Sequence, residues 1–486
     1  MDSIQSSNEK FPPGQDIFEK KEGSISVKDG TVEIESQRGA VFKTKWQRFI
    51  TLLERTMGLE SRGIERVPPS MRLEKFGSWE RFLMVALWFS ANCCMSEATV
   101  GVLGPVSYGL GLKDAMMFVV SRYTMGWWPS KLCVLLNLVI MLGYGLVDTV
   151  VAGQMLSAVN GKGMSIAVGI VISAVITWVV TLFGMRWFHA FERWAFIPQV
   201  MGLLLLIGCA GPHFDTTTPS AGSSTVITAN RLSYVFLCAS GPIGWAPAAA
   251  DFYVYFSPTV SRWTTFSLTA VGLCSAKLFV TLLGIGLGSG LAKNPAWAAA
   301  FDISTGALYV ESLAPLTTFG KIFATIFSLG MVANNIPGTY SAALSFQTLS
   351  PWAEKIPRVI WCTIAAIIYT VCAVVGQSHF LTIFLNFLAL IGYWVIIWVV
   401  MTAVEQVIFR RKGGYDWTAW DTPQELPVGV AALISFLIGW AGAILCMDQV
   451  YYVGPIASLI GEGSDVSDPS STGEPMKLRR KMLKGF

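Results

Sequence analysis

Charge is scarce in this chain. Only 14% of its 486 residues are Asp, Glu, Lys or Arg, against about 25% in a soluble globular protein. The deficit is uneven: of 35 Lys and Arg residues, 14 fall in residues 1–81, 5 in residues 453–486 and 16 in the 371 residues between. With 53% hydrophobic residues, this composition excludes a soluble enzyme and points to a membrane-embedded chain. The net charge of +4 comes from the ends and loops, so nucleic acid is not an expected partner. Histidine is rarer still. His189, His213 and His379 sit near span ends, with no ligand partners at metal spacing, and read as interfacial; no metal and no cofactor are expected. The nine cysteines lack CxxC spacing and all fall inside apolar stretches. That argues against a disulfide framework or a zinc site and leaves small core residues. A secretory signal is also missing: residues 1–45 are polar, with Pro12–Pro13 and scattered charges, and read as a disordered tail.

What is present is a series of apolar runs. A helix needs about 20 residues to cross a bilayer, and ten stretches qualify: roughly 82–111, 131–156, 165–184, 193–211, 231–256, 264–292, 321–348, 358–376, 380–405 and 427–452. Residues 295–320 are too mixed to form a span. The reading divides the chain into a cytoplasmic polar tail over 1–80, a transmembrane transporter domain over 81–452 and a polar basic tail over 453–486. Two spans are irregular. The first holds Asn92, Ser96, Glu97, Gly101, Gly104 and Pro105; the fifth holds Gly241, Pro242, Gly244, Pro247 and Asp251. Interrupted helices are tolerated in a bilayer where they line a cavity or are buried in protein, and a matched pair in two halves of a chain points to a transport site. Gly284-Ile-Gly286-Leu-Gly288-Ser-Gly290 lies in an apolar span with no strand before it, so close helix packing accounts for it better than a dinucleotide fingerprint.

A series of motifs is specific. Gly63-Ile-Glu-Arg-Val67 precedes the first span, followed by Gly101-Val-Leu-Gly-Pro105, Ser121-Arg-Tyr123, Gly126-Trp127, Gly244-Trp-Ala246, Ala250-Asp251, Asn334-Asn-Ile-Pro337, Tyr340-Ser341, Gly392-Tyr-Trp394 and Gly454-Pro-Ile-Ala457. Over roughly residues 58–462 the chain resembles the fungal purine-cytosine permeases of the nucleobase-cation-symport-1 family. The resemblance implies an all-α integral membrane protein of twelve spans. The first ten would form a LeuT-like five-plus-five inverted repeat with broken first and sixth helices, and about ten spans are recognisable here. It also implies proton-coupled import of cytosine and purines, with a small heterocycle, protons and the bilayer as partners.

In that family an aromatic residue of the third helix stacks on the base, and an Asn or Gln one turn later hydrogen-bonds it. Tyr144 and Asp148 stand at those positions, one turn apart on one face. A ring face with a polar neighbour suits a flat heterocycle. A carboxylate, however, offers only acceptors unless protonated, which favours a substrate with N–H groups or positive charge. Trp245 matches the second stacking aromatic, and Asn335 the Asn of the eighth-helix motif. Asn334 adjoins it, and Gly338 stands where the family has a second Asn. Asn92 and Ser96, in the first irregular span, are further substrate-binding candidates. Glu97, Asp148 and Asp251 are candidates for proton coupling, since mid-span ionisable groups are costly and mark function.

The chain also departs from the family pattern. Between Asp114 and Ser121 only Ala115–Val120 intervene, about 9 Å of helix against a core of about 30 Å. The second family helix is therefore expected to be absent, as is the twelfth after Gly461. Loop charges give one side Arg186, Arg193, Arg262, Lys355, Arg358, Arg410, Arg411 and Lys412, and the other Lys162, Arg231, Lys293 and Lys321. The richer side should be cytoplasmic. With the second helix gone, the tail and Ser121–Lys131 compete for that side. A lost coding segment explains an abrupt junction between intact motifs better than a re-entrant first span or a decayed paralogue. A ten-span product is expected to transport little. Three readings follow: a plasma-membrane nucleobase importer, an importer of a vitamin-like or secondary-metabolite heterocycle, or a membrane protein that binds without translocating.

Overall fold

The computed structural model describes residues 26–28, 31–33, 77–100, 127–183, 185–246, 260–409, 428–449 and 452–461. The chain divides into two units, Met1–Leu53 and Glu54–Phe486. In the first, β1 (Ser26–Lys28) and β2 (Thr31–Glu33) pair antiparallel with Val27 opposite Val32. The tail was expected to be disordered throughout, but Asp29-Gly30 between two β-branched runs is a hairpin signal. Expectations that fall on residues 101–126, including the expected loss of the second family helix, and on Asp251 and residues 462–486 lie outside the described residues.

Among the described residues the second unit is helical apart from a short ribbon that pairs Asp448–Gln449 with Tyr452–Val453. Its helices are α1 (Ser78–Asn92), α2 (Trp127–Asn160), α3 (Ile166–Phe183), α4 (Met185–Ala210), α5 (Ser224–Gly244) and α6 (Arg262–Gly290). There follow α7 (Pro295–Ile303), α8 (Thr305–Ser312), α9 (Thr317–Leu349), α10 (Arg358–Gly376), α11 (Phe380–Val404) and α12 (Val430–Leu445). Among the described residues six segments are long and apolar enough to cross a membrane; the longest, Arg358–Val404, comprises α10 and α11.

These helices are packed with small and polar residues inward. On α3, Val168, Val171, Ile172, Val175 and Val179 are exposed, while Gly169, Ser173, Ala174, Thr177 and Thr181 are buried. Lipid is as apolar as valine, so the inner face gains from close approach and hydrogen bonding rather than from hydrophobicity. A Cβ on Gly169 would lie 2.6 Å from the Gly153 carbonyl oxygen of α2. Helices α2, α3, α9 and α10 all pack on one another. They are tied by Asn137 Nδ2 donating to Ser345 Oγ (3.0 Å), Ser328 Oγ to the Ala152 carbonyl (3.2 Å) and Trp178 Nε1 to Thr363 Oγ1 (3.0 Å).

Both irregular spans are interrupted among the residues that marked them. Helix α1 ends at Asn92, Cys93 leaves the helical conformation, and a helix resumes at residue 95. The interruption thus falls on Cys93–Cys94, between Asn92 and Ser96 of the expected break. Asn92 Nδ2 donates to the Trp88 carbonyl (2.9 Å), offering that carbonyl an alternative to the helical ladder. Helix α5 runs through Pro242 and gives way to a turn at Trp245 and Ala246, whose N–H groups donate to the Pro242 and Ile243 carbonyls.

Residues 295–320 do not span: they form α7, α8 and a short turn. Gln154 Oε1 accepts from Gly306 N–H (3.1 Å) and Tyr309 Oη lies 2.8 Å from Thr99 Oγ1, so α8 seats on α2 and on the resumed first helix. The loop after α4 is anchored by Asp215. Its carboxylate accepts from Lys293 Nζ (2.7 Å), from Thr217 N–H (2.8 Å) and Oγ1 (2.7 Å), and from the Thr218 hydroxyl. Chiefly the Lys293 ammonium, then the two hydroxyls, hold it well below the usual carboxylate range.

Two smaller expectations change and a third holds. Cys372 and Cys446 are exposed on the outside of the bundle rather than in the core; a thiol is apolar enough to face lipid. Arg358, counted as a loop charge, is fully buried with its guanidinium 4.3 Å from the centre of the Tyr340 ring. The glycine run on α6 packs closely, as expected: a Cβ on Gly284 would lie 1.9 Å from the Ala98 carbonyl oxygen.

Candidate substrate site

The four-helix scaffold carries one wall of the site. On α2, Gly143 and Gly145 flank Tyr144. A Cβ on Gly143 would lie 2.0 Å from the Phe387 ring, and one on Gly145 would lie 2.7 Å from Tyr369 and 3.2 Å from Asn335 Oδ1. The two glycines therefore let α11, α10 and α9 close around the Tyr144 ring. Phe387 meets it edge-on, with centroids 5.4 Å apart.

The opposite wall is the end of α5. Trp245 is buried and nearly parallel to Tyr144, at 11°, with centroids 6.3 Å apart. A ring sandwiched between two others needs about 7 Å, two contacts of about 3.5 Å each. Roughly 1 Å of opening thus admits a flat heterocycle. Trp88 of α1 meets Trp245 edge-on at 6.0 Å. The Tyr144 hydroxyl donates to the Gly241 carbonyl (3.3 Å), and a Cβ on Gly244 would lie 2.9 Å from that hydroxyl.

One turn from Tyr144, Asp148 is 1% exposed. Its Oδ2 accepts from Asn334 Nδ2 of α9 (2.8 Å), while its Oδ1 has no partner. Asn334 Oδ1 and Asn335 Nδ2 are also buried without partners, and Asn335 Oδ1 accepts from Thr339 (3.3 Å). Two acceptors and one donor are thus left open beside the aromatic pair, a costly arrangement unless a ligand completes it. Gly338 leaves ordinary contact room, 3.8 Å from a Cβ there to Asn335 Oδ1.

Of the residues expected at the site, Tyr144, Asp148, Trp245, Asn334 and Asn335 converge. Ser96 and Glu97 lie within electrostatic reach of Asp148 across the first-helix break, Ser96 Oγ lying 3.1 Å from Cys94 Sγ. Asn92 instead turns back onto its own helix. Three residues were missed. Trp88 and Phe387 carry no signal beyond apolar aromatics. Lys277, paired with Glu97 in the protein interior, carried a plain one: a lone cation in the middle of an apolar span.

The family model described as permease for cytosine/purines, uracil, thiamine, allantoin matches residues 117–454. The chain belongs to this family. The permease is a multi-pass membrane transporter, not an enzyme. It is 29% identical over 492 residues to the vitamin B6 transporter TPN1 of Saccharomyces cerevisiae, covering 85% of this chain and 84% of the relative. It is 32% identical over 440 residues to the purine-cytosine permease fcyB of Emericella nidulans, covering 84% of this chain and 85% of the relative. Among solved structures the permease is similar to the inward-facing conformation of Mhp1, with a TM-score of 0.40, 14% identity and coverage of 85% of this chain and 89% of that one.

Proposed function

We propose that the permease imports a small flat heterocycle across the plasma membrane together with a proton, by alternating access around the broken first helix and α5. The observation that carries this reading is the aromatic pair of Tyr144 and Trp245, parallel within 11° at 6.3 Å, beside unpaired polar atoms of Asp148, Asn334 and Asn335. Stacking supplies affinity that tolerates different rings; the polar edge supplies discrimination, because a ligand lacking the matching groups leaves buried atoms unpaired. Nucleobases have the right shape and carry an N–H donor for Asn334 Oδ1, a ring nitrogen or carbonyl for Asn335 Nδ2, and an edge group that accepts from Asp148 when it is protonated or donates to it when it is not. Glu97, Asp148 and Asp251 are the proton-coupling candidates, and Ser96 borders the ligand in this reading.

A second cargo is favoured by one specific feature. The carboxyl at Asp148 and the glycine at Gly338 remove one amide from each side of the family site and leave an acceptor-rich cavity with added room. A hydroxylated pyridine of the vitamin B6 type fits this, in line with the similarity to TPN1. Uptake of labelled cytosine into cells expressing the permease, competed by adenine and by pyridoxine, separates the two. Competition by adenine alone assigns a nucleobase carrier, and by pyridoxine alone the second cargo. Gly338→Asn restores an amide and should shift selectivity toward cytosine about tenfold, one good hydrogen bond's worth. No saturable uptake of any of these compounds would sink both transport readings and leave a protein that binds without carrying.

A further inference from the structure

The strongest unassigned feature is the charge content of the core around the first-helix break. Glu97 lies beyond the break and Lys277 near the middle of α6; they form an ion pair with side chains 7% and 6% exposed. The ammonium also approaches the end of α5, since a Cβ on Gly241 would lie 3.1 Å from Lys277 Nζ and 3.6 Å from Glu97 Oε2. Thr281 Oγ1 donates to the Glu97 carbonyl (3.4 Å), fixing α6 against the resumed helix. Asp148, on α2, lies within electrostatic reach of both members of the pair and keeps Oδ1 unpartnered.

The remaining titratable groups facing this centre are thiols and phenols: Cys94 at the break, Tyr144 of α2, Tyr234 and Cys238 of α5, Cys274 of α6, Tyr309 of α8 and Tyr369 of α10. None of these brings positive charge. Among the described residues the centre therefore holds two carboxyls and one ammonium. Lys277 neutralises Glu97 and leaves one carboxyl in excess, in surroundings where an uncompensated charge is strongly unfavourable.

We propose that this centre takes one further positive charge, supplied interchangeably by a proton on Asp148 or by the charge of a cationic heterocycle. With a neutral ligand, the proton stays on Asp148 Oδ1 and travels with the ligand. With a cationic ligand, the O–H bond breaks, its electron pair stays on the carboxylate, and the proton leaves to water as the ligand's charge takes its place. The ligand half rests on the heterocycle reading of the aromatic slot; the charge count does not.

The test is infrared spectroscopy of the purified full-length protein at mildly acidic pH, reading the deuterium-sensitive carbonyl band of a protonated carboxyl group. Asp148→Asn and Glu97→Gln should each abolish the band, since either leaves one carboxylate facing one ammonium. Lys277→Met should about double it, and Glu97→Gln/Lys277→Met should return it to the original intensity, because each lost charge is matched by one proton. The double variant preserves the balance and so covers the case in which Lys277→Met does not fold. A band that survives Asp148→Asn, or that the Lys277 variants leave unchanged, overturns the proposal. Saturating cytosine should leave the band in place, whereas the N-methyl derivative of 3-O-methylpyridoxine, permanently cationic because it has no acidic ring hydroxyl, should remove it. If neither compound binds while the variants behave as stated, the charge centre stands and the heterocycle reading falls. If both bind and no band exists, the charge centre falls and the slot stands.

Discussion

Trp245 concentrates the chemistry of the site in one side chain: its face looks toward Tyr144 and its ring takes the edge of Trp88. Trp245→Leu keeps the position apolar and removes the stacking surface, so binding of the transported heterocycle should weaken about three- to tenfold. Trp245→Phe retains a face and should stay within about twofold of the parent. Equal binding by all three proteins would show that the ring does not touch ligand. Tyr144 and Asp148 were marked by the resemblance to the permease family, and their four-residue spacing puts them on a shared helix face whatever surrounds it. Lys277 was not weighed, although a mid-span cation is as informative as a mid-span carboxylate. Its partner lies 180 residues away, and no local spacing reveals such a pair. Gly143 and Gly145 gave no signal either, because what they make room for comes from three other helices.

Helix positions followed from apolar run length, and the scaffold and outer helices lie where the runs placed them. The breaks were legible as stretches rather than as residues: the second falls at Trp245–Ala246, between Gly244 and Pro247. The first falls at Cys93–Cys94, between Asn92 and Ser96, where Asn92 competes for a carbonyl of its own helix. Helix contacts lie between these extremes: the α6 glycine run announced a close approach without naming its partner. A Cβ on Gly284 would collide with backbone at Ala98, whereas one on Gly208 or Gly442 would meet nothing within 4 Å. Gly284→Ala should therefore destabilise the permease by about 1–3 kcal/mol. Gly208→Ala and Gly442→Ala should be neutral or stabilising by up to about 1 kcal/mol. Thermal unfolding of the three variants in detergent checks this, and an unchanged midpoint for Gly284→Ala would contradict the packing.

At the scale of the whole molecule, the Asp215–Lys293 anchor joins the loop after α4 to the end of α6. The Asp215 carboxyl is held below its unfolded range, so its contribution is complete above about pH 4 and is lost as acid protonates it. Asp215→Asn should lower the melting temperature at neutral pH, and the gap to the parent should narrow progressively below about pH 4. A gap independent of pH would mean that the anchor is steric. Added salt should narrow it modestly at neutral pH, since the Lys293 side chain is 55% exposed. The break at Cys93–Cys94 has a different consequence. Two thiols, both nearly inaccessible, stand where the first helix gives way beside the slot. A membrane-impermeant alkylating reagent can label them only while the pathway is open on the reagent's own side, so labelling from each side of a vesicle would report the direction in which the resting carrier faces, with no cysteine introduced. With Cys209, Cys238, Cys274, Cys372 and Cys446, none of them fully buried, replaced by serine, that signal would be clean.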